Sequence, residues 1–85
     1  YRLSQNYPNP FNPVTNIDYD LPKNSLVKIA IYDMTGREVA VPVNEFKTAG
    51  RYSVSFNAMK LASGIYYYKI QSGDFSAVKK MTLLK

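Results

Sequence analysis

Carboxylate side chains are the first candidates for chemistry in this sequence, because a pair of carboxylates can bind a cation or hydrolyse a glycoside. Asp18 and Asp20 stand two residues apart, which places both on one face of a β-strand. The same spacing arises whenever a strand exposes one face to water, and it provides no partner on the other side of a substrate. We interpret this pair as a solvated face. Asp33 precedes Gly36 at the spacing of a capped turn.

Other catalytic groups are missing from the composition. The 85 residues include no cysteine and no histidine, which excludes disulfides, thiol catalysis, Cys/His zinc sites and serine–histidine catalysis. Serine and threonine hydroxyls are present, but no convincing base accompanies them. No P-loop, Rossmann or EF-hand spacing occurs. We therefore expect a protein that is not an enzyme and that uses no cofactor and no metal.

The charge balance is basic, with 11 Lys and Arg against 6 Asp and Glu, for a net charge of +5. The lysines are scattered except for Lys79-Lys80, so we expect no nucleic acid partner. This lysine pair either discourages association between sheet edges or presents a terminal strand to a partner. The residue types alone favour neither interpretation. No segment approaches the roughly 18 apolar residues of a membrane span.

The tyrosines allow a binding role and a structural role. Tyr32 and Tyr67 could stack on sugars or bases from an outward face. Two rings offer only a small surface on which a sugar or base could stack. We favour the structural interpretation, in which Tyr66 and Tyr68 fill the core and one of them forms a hydrogen bond across a strand corner.

Alternation of apolar and polar residues predicts a strand protein. Pro42 places the third strand at a sheet edge, and residues 44–49 are predicted to form a polar connector. Because turn signals recur every 8 to 12 residues, we predict an all-β fold, a small antiparallel immunoglobulin-like β-sandwich of about seven strands. The predicted strands span residues 14–20, 27–32, 38–43, 50–56, 65–70 and 75–84.

Residues 5–13, QNYPNPFNP, combine three prolines with two aromatic rings. Proline excludes a helix or a central strand here, and the rings distinguish the segment from a flexible linker. We predict that residues 1–13 form a proline-rich segment, held extended by its prolines, that packs on the fold through Tyr7 and Phe11. Residues 14–85 would then form the sandwich.

Five sequence motifs, read together in their order and spacing, cover nearly the whole chain. They are LxQNYPNPFNPxTxIxYxLP at 3–22, VKIAIYDMTGREV at 27–39, AGRYSV at 49–54, LASGIYYYKI at 61–70 and KKMTLLK at 79–85. In order and spacing the chain resembles the type A C-terminal sorting domain of the type IX (Por) secretion system, which is related to the immunoglobulin-like module of flagellar hook-capping proteins.

The resemblance implies a transport function without catalysis. Such domains end large exported proteins, which cross the periplasm and reach the cell surface or the medium. The implied partners are the outer-membrane translocon, a sortase-like protease that removes the domain near or before the proline-rich segment, and the upstream cargo of the same chain. The cargo is then released or joined to an anionic lipopolysaccharide. The implied recognition positions are Gly50, Tyr52, Gly64, Tyr66, Lys79, Lys80 and Met81, and the implied boundary residues are Pro8, Asn9, Pro10, Asn12 and Pro13.

The motifs also resemble the immunoglobulin-like module of flagellar hook-capping proteins, and similar sandwiches occur in a different class of protein. Accessory immunoglobulin-like modules of secreted glycosidases share this sandwich and have a structural or carbohydrate-associated role. The two hypotheses differ in position, because a sorting domain ends its parent chain. The first residue is Tyr1 and not an initiator Met, so we expect the sequence to be a piece of a longer protein.

Overall fold

The alternating segments fold into seven β-strands. A computed structural model describes all 85 residues and contains no helix. In chain order the strands are β1 (Arg2–Leu3), β2 (Val14–Leu21), β3 (Ser25–Tyr32), β4 (Glu38–Lys47), β5 (Gly50–Asn57), β6 (Gly64–Ser72) and β7 (Phe75–Leu83).

Two sheets pack face to face. One has three strands in the order β1-β2-β5, and the other has four in the order β4-β3-β6-β7. All pairings between these strands are antiparallel. The predicted all-β antiparallel sandwich of about seven strands is therefore confirmed. β6 lies between two neighbours, while β7 forms an edge of its sheet.

Strand alternation determines which side chains reach the space between the sheets. On β2, Ile17 and Tyr19 are 0% and 1% exposed, whereas Asp18 and Asp20 lie on the opposite face, as predicted. β6 carries rings on both faces, since Tyr68 is fully buried and Tyr67 is 37% exposed. Sixteen buried side chains form one contiguous core; fourteen come from the two sheets, and Phe11 and Ala58 come from connecting segments.

The predicted polar connector at residues 44–49 is wrong. β4 continues to Lys47, because residues 44–47 pair with residues 25–28 of β3. Pro42 lies where the pairing of these strands shifts register, between Ile29↔Val43 and Ile31↔Ala40. An edge strand with an irregular register tolerates a residue that donates no hydrogen bond, so the predicted edge position is confirmed.

β1 has only two residues, and its sequence carries no period that could have revealed it. Its pairing with β2 places Tyr1 at one end of the sandwich, where the Tyr1 ring stacks on Phe75 with centroids 4.7 Å apart. We call this the proximal end; the opposite one is the distal end. The proximal end holds the connections at residues 21–25, 47–50 and 72–75. The distal end holds residues 32–38, 57–64 and 83–85. The molecule is 37 Å in its longest dimension.

Candidate functional site

Two segments contain a glycine two residues before a tyrosine. One of these pairs, Gly64 and Tyr66, shapes the turn before β6. The Tyr66 hydroxyl donates a hydrogen bond to the Ala62 carbonyl at 2.7 Å. Gly64 lies between them with a φ of +155°, a conformation that side chains disfavour. The arrangement is a tyrosine corner, in which a tyrosine hydroxyl is bonded to the backbone a few residues upstream. The predicted corner bond is therefore present.

The second pair repeats this geometry before β5. The Tyr52 hydroxyl donates to the Thr48 carbonyl at 2.7 Å, and Gly50 has a φ of +150°. The Tyr52 ring also stacks on buried Tyr19, with centroids 5.4 Å apart, and the Lys47 ammonium lies 5.1 Å from its centre. Both motifs of the form GxY thus hold a connection between the two sheets.

Tyr68 ties the N-terminal segment to the core. Its buried hydroxyl donates to the Ser4 carbonyl at 2.6 Å and accepts a hydrogen bond from the Asn6 amide at 2.8 Å. Desolvation raises the pKa of Tyr68 to about 12, with the Asn6 bond acting in the opposite direction. This hydroxyl is the only side-chain group that bonds two backbone positions of the segment.

A buried polar cluster continues from Tyr68. Asn6 is 2% exposed and Thr15 is 0% exposed. The Asn6 side-chain amide donates to the Thr15 hydroxyl at 3.0 Å, and this hydroxyl donates to the Pro8 carbonyl at 2.9 Å. The sequence interpretation missed both residues. The available signal was Thr15, which shares the inward phase of Ile17 and Tyr19 on β2.

The N-terminal segment also lies along the outer edge of β7. Phe11 is 2% exposed, so its predicted packing is confirmed. Its amide donates to the Thr82 carbonyl at 3.0 Å and its carbonyl accepts from the Leu84 amide at 3.0 Å. Two side chains add to this contact. Asn9 Oδ1 accepts from the Thr82 amide at 3.0 Å, and Gln5 donates to the Lys80 carbonyl at 2.7 Å.

The path of the segment differs from the prediction in two respects. Tyr7 is 52% exposed, so its predicted docking is wrong. The Tyr7 backbone pairs with Asn16 on β2, and its ring lines a shallow groove on the outer face of the three-stranded sheet. The chain is also bent, not extended. The bends fall at Pro8, Asn9, Pro10, Asn12 and Pro13, the boundary residues implied by the resemblance.

The terminal strand separates its three candidate recognition residues. Lys80 is exposed, Lys79 is half-buried, and Met81 is 0% exposed within the core. Neither lysine has a carboxylate within 4.0 Å. Two ammonium groups are therefore available at this edge, whereas Met81 contributes packing.

The acidic residues form no cluster. Asp33 Oδ1 accepts hydrogen bonds from the Thr35 hydroxyl and from the amides of Thr35 and Arg37, which confirms the predicted turn cap. These bonds, the hydroxyl bond foremost, lower the pKa of Asp33. Asp20 lies 3.8 Å from Arg2, and Asp18 Oδ1 is buried with no hydrogen-bond partner. No three acidic side chains meet to hold a metal ion.

Comparison with known families finds a family whose sequence profile covers most of the chain. The sequence profile of the secretion system C-terminal sorting domain matches residues 5–83. The chain belongs to this family. It is a C-terminal sorting domain of the type IX secretion system, and it marks a secreted protein that is exported to the cell surface or beyond. A search of curated proteins found no match. No helix of the sorting domain is long and apolar enough to cross a membrane.

Proposed function

We propose that this sorting domain is a non-catalytic label whose folded surface is read by the outer-membrane translocon of the type IX system. The proposal rests on the contact between the two ends of the segment that matches the family profile, residues 5–83. Gln5 and Asn9 bond the backbone of Lys80 and Thr82, and this contact fixes the terminal strand in place. A partner then meets a rigid edge with two lysines, and little ordering entropy is lost on binding.

The implied recognition residues divide into two roles under this proposal. Gly50, Tyr52, Gly64 and Tyr66 build the two corners, and buried Met81 packs the core, so all five support the shape of the domain. Lys79 and Lys80 have no carboxylate partner. These two lysines make the direct contact with an acidic surface of the translocon, because the N-terminal segment already bonds the edge backbone at Lys80 and Thr82.

We also propose where the label is removed. Leu3 is 6% exposed and Arg2–Leu3 pairs with β2, so the fold already includes these residues. A sortase-like protease needs an accessible, extended substrate. Cleavage therefore falls upstream of Arg2, after the periplasmic stage of transport, and the cargo is released or joined to the cell-surface lipopolysaccharide.

The test is a fusion of residues 1–85 behind a periplasm-targeted reporter, in a host that has the type IX machinery. The reporter should reach the surface or the medium. Lys79→Ala with Lys80→Ala should reduce export while the melting temperature changes little, because neither ammonium forms an ion pair that the folded domain would lose. Lys23→Ala with Arg51→Ala removes the same charge elsewhere and should export normally.

Two results would contradict the proposal. Retention of a well-folded wild-type fusion in the periplasm would remove the sorting role and favour an accessory immunoglobulin-like or carbohydrate-associated module. Full export of the double alanine variant would restrict Lys79 and Lys80 to discouraging edge-to-edge association.

A further inference from the structure

The geometry of the sandwich places the attachment of the cargo at one end of the domain. A C-terminal signal carries its cargo on the N-terminal side, and Tyr1 lies at the proximal end, stacked on Phe75. β1 runs from there toward the distal end, which is also where β7 ends at Leu83. A bulky cargo on the N-terminal side therefore crowds the proximal end more than the distal end.

An apolar cleft of about 270 Å³ opens near this distal end, between the edge strands β4 and β5. These strands belong to different sheets and do not pair with each other, so the sandwich is open along this side. Met59 at the rim of the cleft is 64% exposed. The apolar side chains that line the cleft are Val39, Ala40, Phe56, Met59 and Leu61.

The rim of the cleft is positively charged. Lys60 lines it, and the Lys85 ammonium donates a hydrogen bond to the Met59 carbonyl at 2.6 Å. Neither lysine has a carboxylate within 4.0 Å. The acidic residue next to the cleft in sequence, Glu38, is already paired with the Lys28 ammonium at 3.3 Å. An apolar cavity with uncompensated cations favours a ligand that combines apolar groups with negative charge.

The size of the cleft narrows the class of ligand. Its volume lies below the range of about 300–1,000 Å³ that is typical of small-molecule sites. Pockets that receive one or two anchoring side chains are the usual centres of protein interfaces. We propose that the distal cleft binds apolar side chains of an extended, acidic segment that belongs to a protein of the export machinery. This inference rests on the proposed sorting function and adds a second contact to that of the terminal strand.

A peptide titration tests the chemistry of the cleft directly. The probe is the peptide Asp-Phe-Asp-Leu-Asp with blocked ends, which presents its Phe and Leu side chains on one face and its carboxylates on the other when extended. Backbone amide shifts should concentrate at residues 39–40 and 56–61. The peptide Lys-Phe-Lys-Leu-Lys should bind at least tenfold more weakly. Absent binding, shifts centred elsewhere or equal binding of both peptides would overturn the assignment.

Variants connect the cleft with export. Met59→Asp places a carboxylate at the rim and should weaken binding of the acidic peptide about tenfold. Lys60→Glu is a second, independent variant that should weaken the same binding. Met34→Asp is the matched control, because Met34 is 69% exposed in another distal turn and does not line the cleft. Thermal melting verifies that each variant is folded.

The fusion assay separates this inference from the proposed function. If the wild-type domain fails to export its reporter, the sorting function fails, and with it the assignment of the cleft's partner to the export machinery. If the wild type is exported and folded Met59→Asp and Lys60→Glu variants are exported equally well, only the cleft inference is overturned. Reduced export of both variants beside normal export of Met34→Asp supports it.

Discussion

Replacing Tyr68 with phenylalanine tests whether a single hydroxyl ties the N-terminal segment to the sandwich. This oxygen donates to the Ser4 carbonyl at 2.6 Å and accepts from the Asn6 amide at 2.8 Å. Asn6 and Tyr68 are 2% and 0% exposed, so water cannot easily replace the hydroxyl at the Asn6 amide, whereas Ser4 is half-buried. Tyr68→Phe keeps the ring and leaves two backbone groups without hydrogen bonds.

The expected cost follows from those two groups. A neutral hydrogen bond contributes about 0.5–1.5 kcal/mol, and a buried group left without a partner costs about 1–3 kcal/mol. We therefore expect the free energy of unfolding to fall by about 2–4 kcal/mol. For a domain of this size the total is about 4–13 kcal/mol. The melting temperature should fall by at least about 8 °C.

Urea denaturation followed by circular dichroism gives the measurement, and the neighbouring ring gives the control. Tyr67 is 37% exposed and its hydroxyl makes no hydrogen bond within the domain, so Tyr67→Phe should change the free energy of unfolding by less than about 0.5 kcal/mol. Amide exchange at Asn6 should accelerate only in Tyr68→Phe. If both variants unfold at the same urea concentration, the hydroxyl does not hold the segment.

Three further outcomes follow from the same contacts. Because the folded pKa of Tyr68 is raised to about 12 and that of Tyr19 is also raised, both by burial, stability should be complete below pH 10 and decline as pH rises toward 12. Alkaline denaturation should show this decline, and Tyr68→Phe should flatten it. Phe11→Ala should cost about 3–5 kcal/mol in urea denaturation, whereas Tyr7→Ala, at a half-exposed ring, should cost far less; equal losses would contradict the observed burial. Limited proteolysis of a cargo fusion should cut upstream of Arg2, and cleavage within residues 5–13 would show that the segment is not docked.

Periodic patterns predicted the sandwich because burial on one face leaves a period of two in the sequence. Ile17 and Tyr19 follow that period, and so do the rings of β6. The pattern fails where neither face of a strand is covered, as at residues 44–46 of β4. Residues 44–47 look like a loop because β4 is an edge strand, on which even a residue such as Phe46 remains 63% exposed.

The polar contacts could not be predicted in the same way. Asn6 bonds Thr15, and Tyr68 bonds Ser4, a residue 64 positions away, so no local pattern records these pairs. A proline-rich segment with two rings predicts docking, but which ring is buried depends on the direction of the backbone. The bridge between Phe11 and Leu83 turns one ring inward, and the pairing of Tyr7 with Asn16 leaves the other half-exposed.

The motif that identifies the family mainly specifies a folded shape. Its two glycine–tyrosine pairs form corners, Asn9 bonds the Thr82 amide, and Met81 is buried, so a partner outside the domain meets few of these side chains. Export can therefore fail for two separable reasons under the proposed function. Tyr68→Phe should lose export in proportion to the unfolded fraction at the assay temperature, whereas the Lys79 and Lys80 variant should lose it while fully folded. A plot of export against stability would place these variants on different lines, and a single common line would mean that the machinery reads only whether the domain is folded.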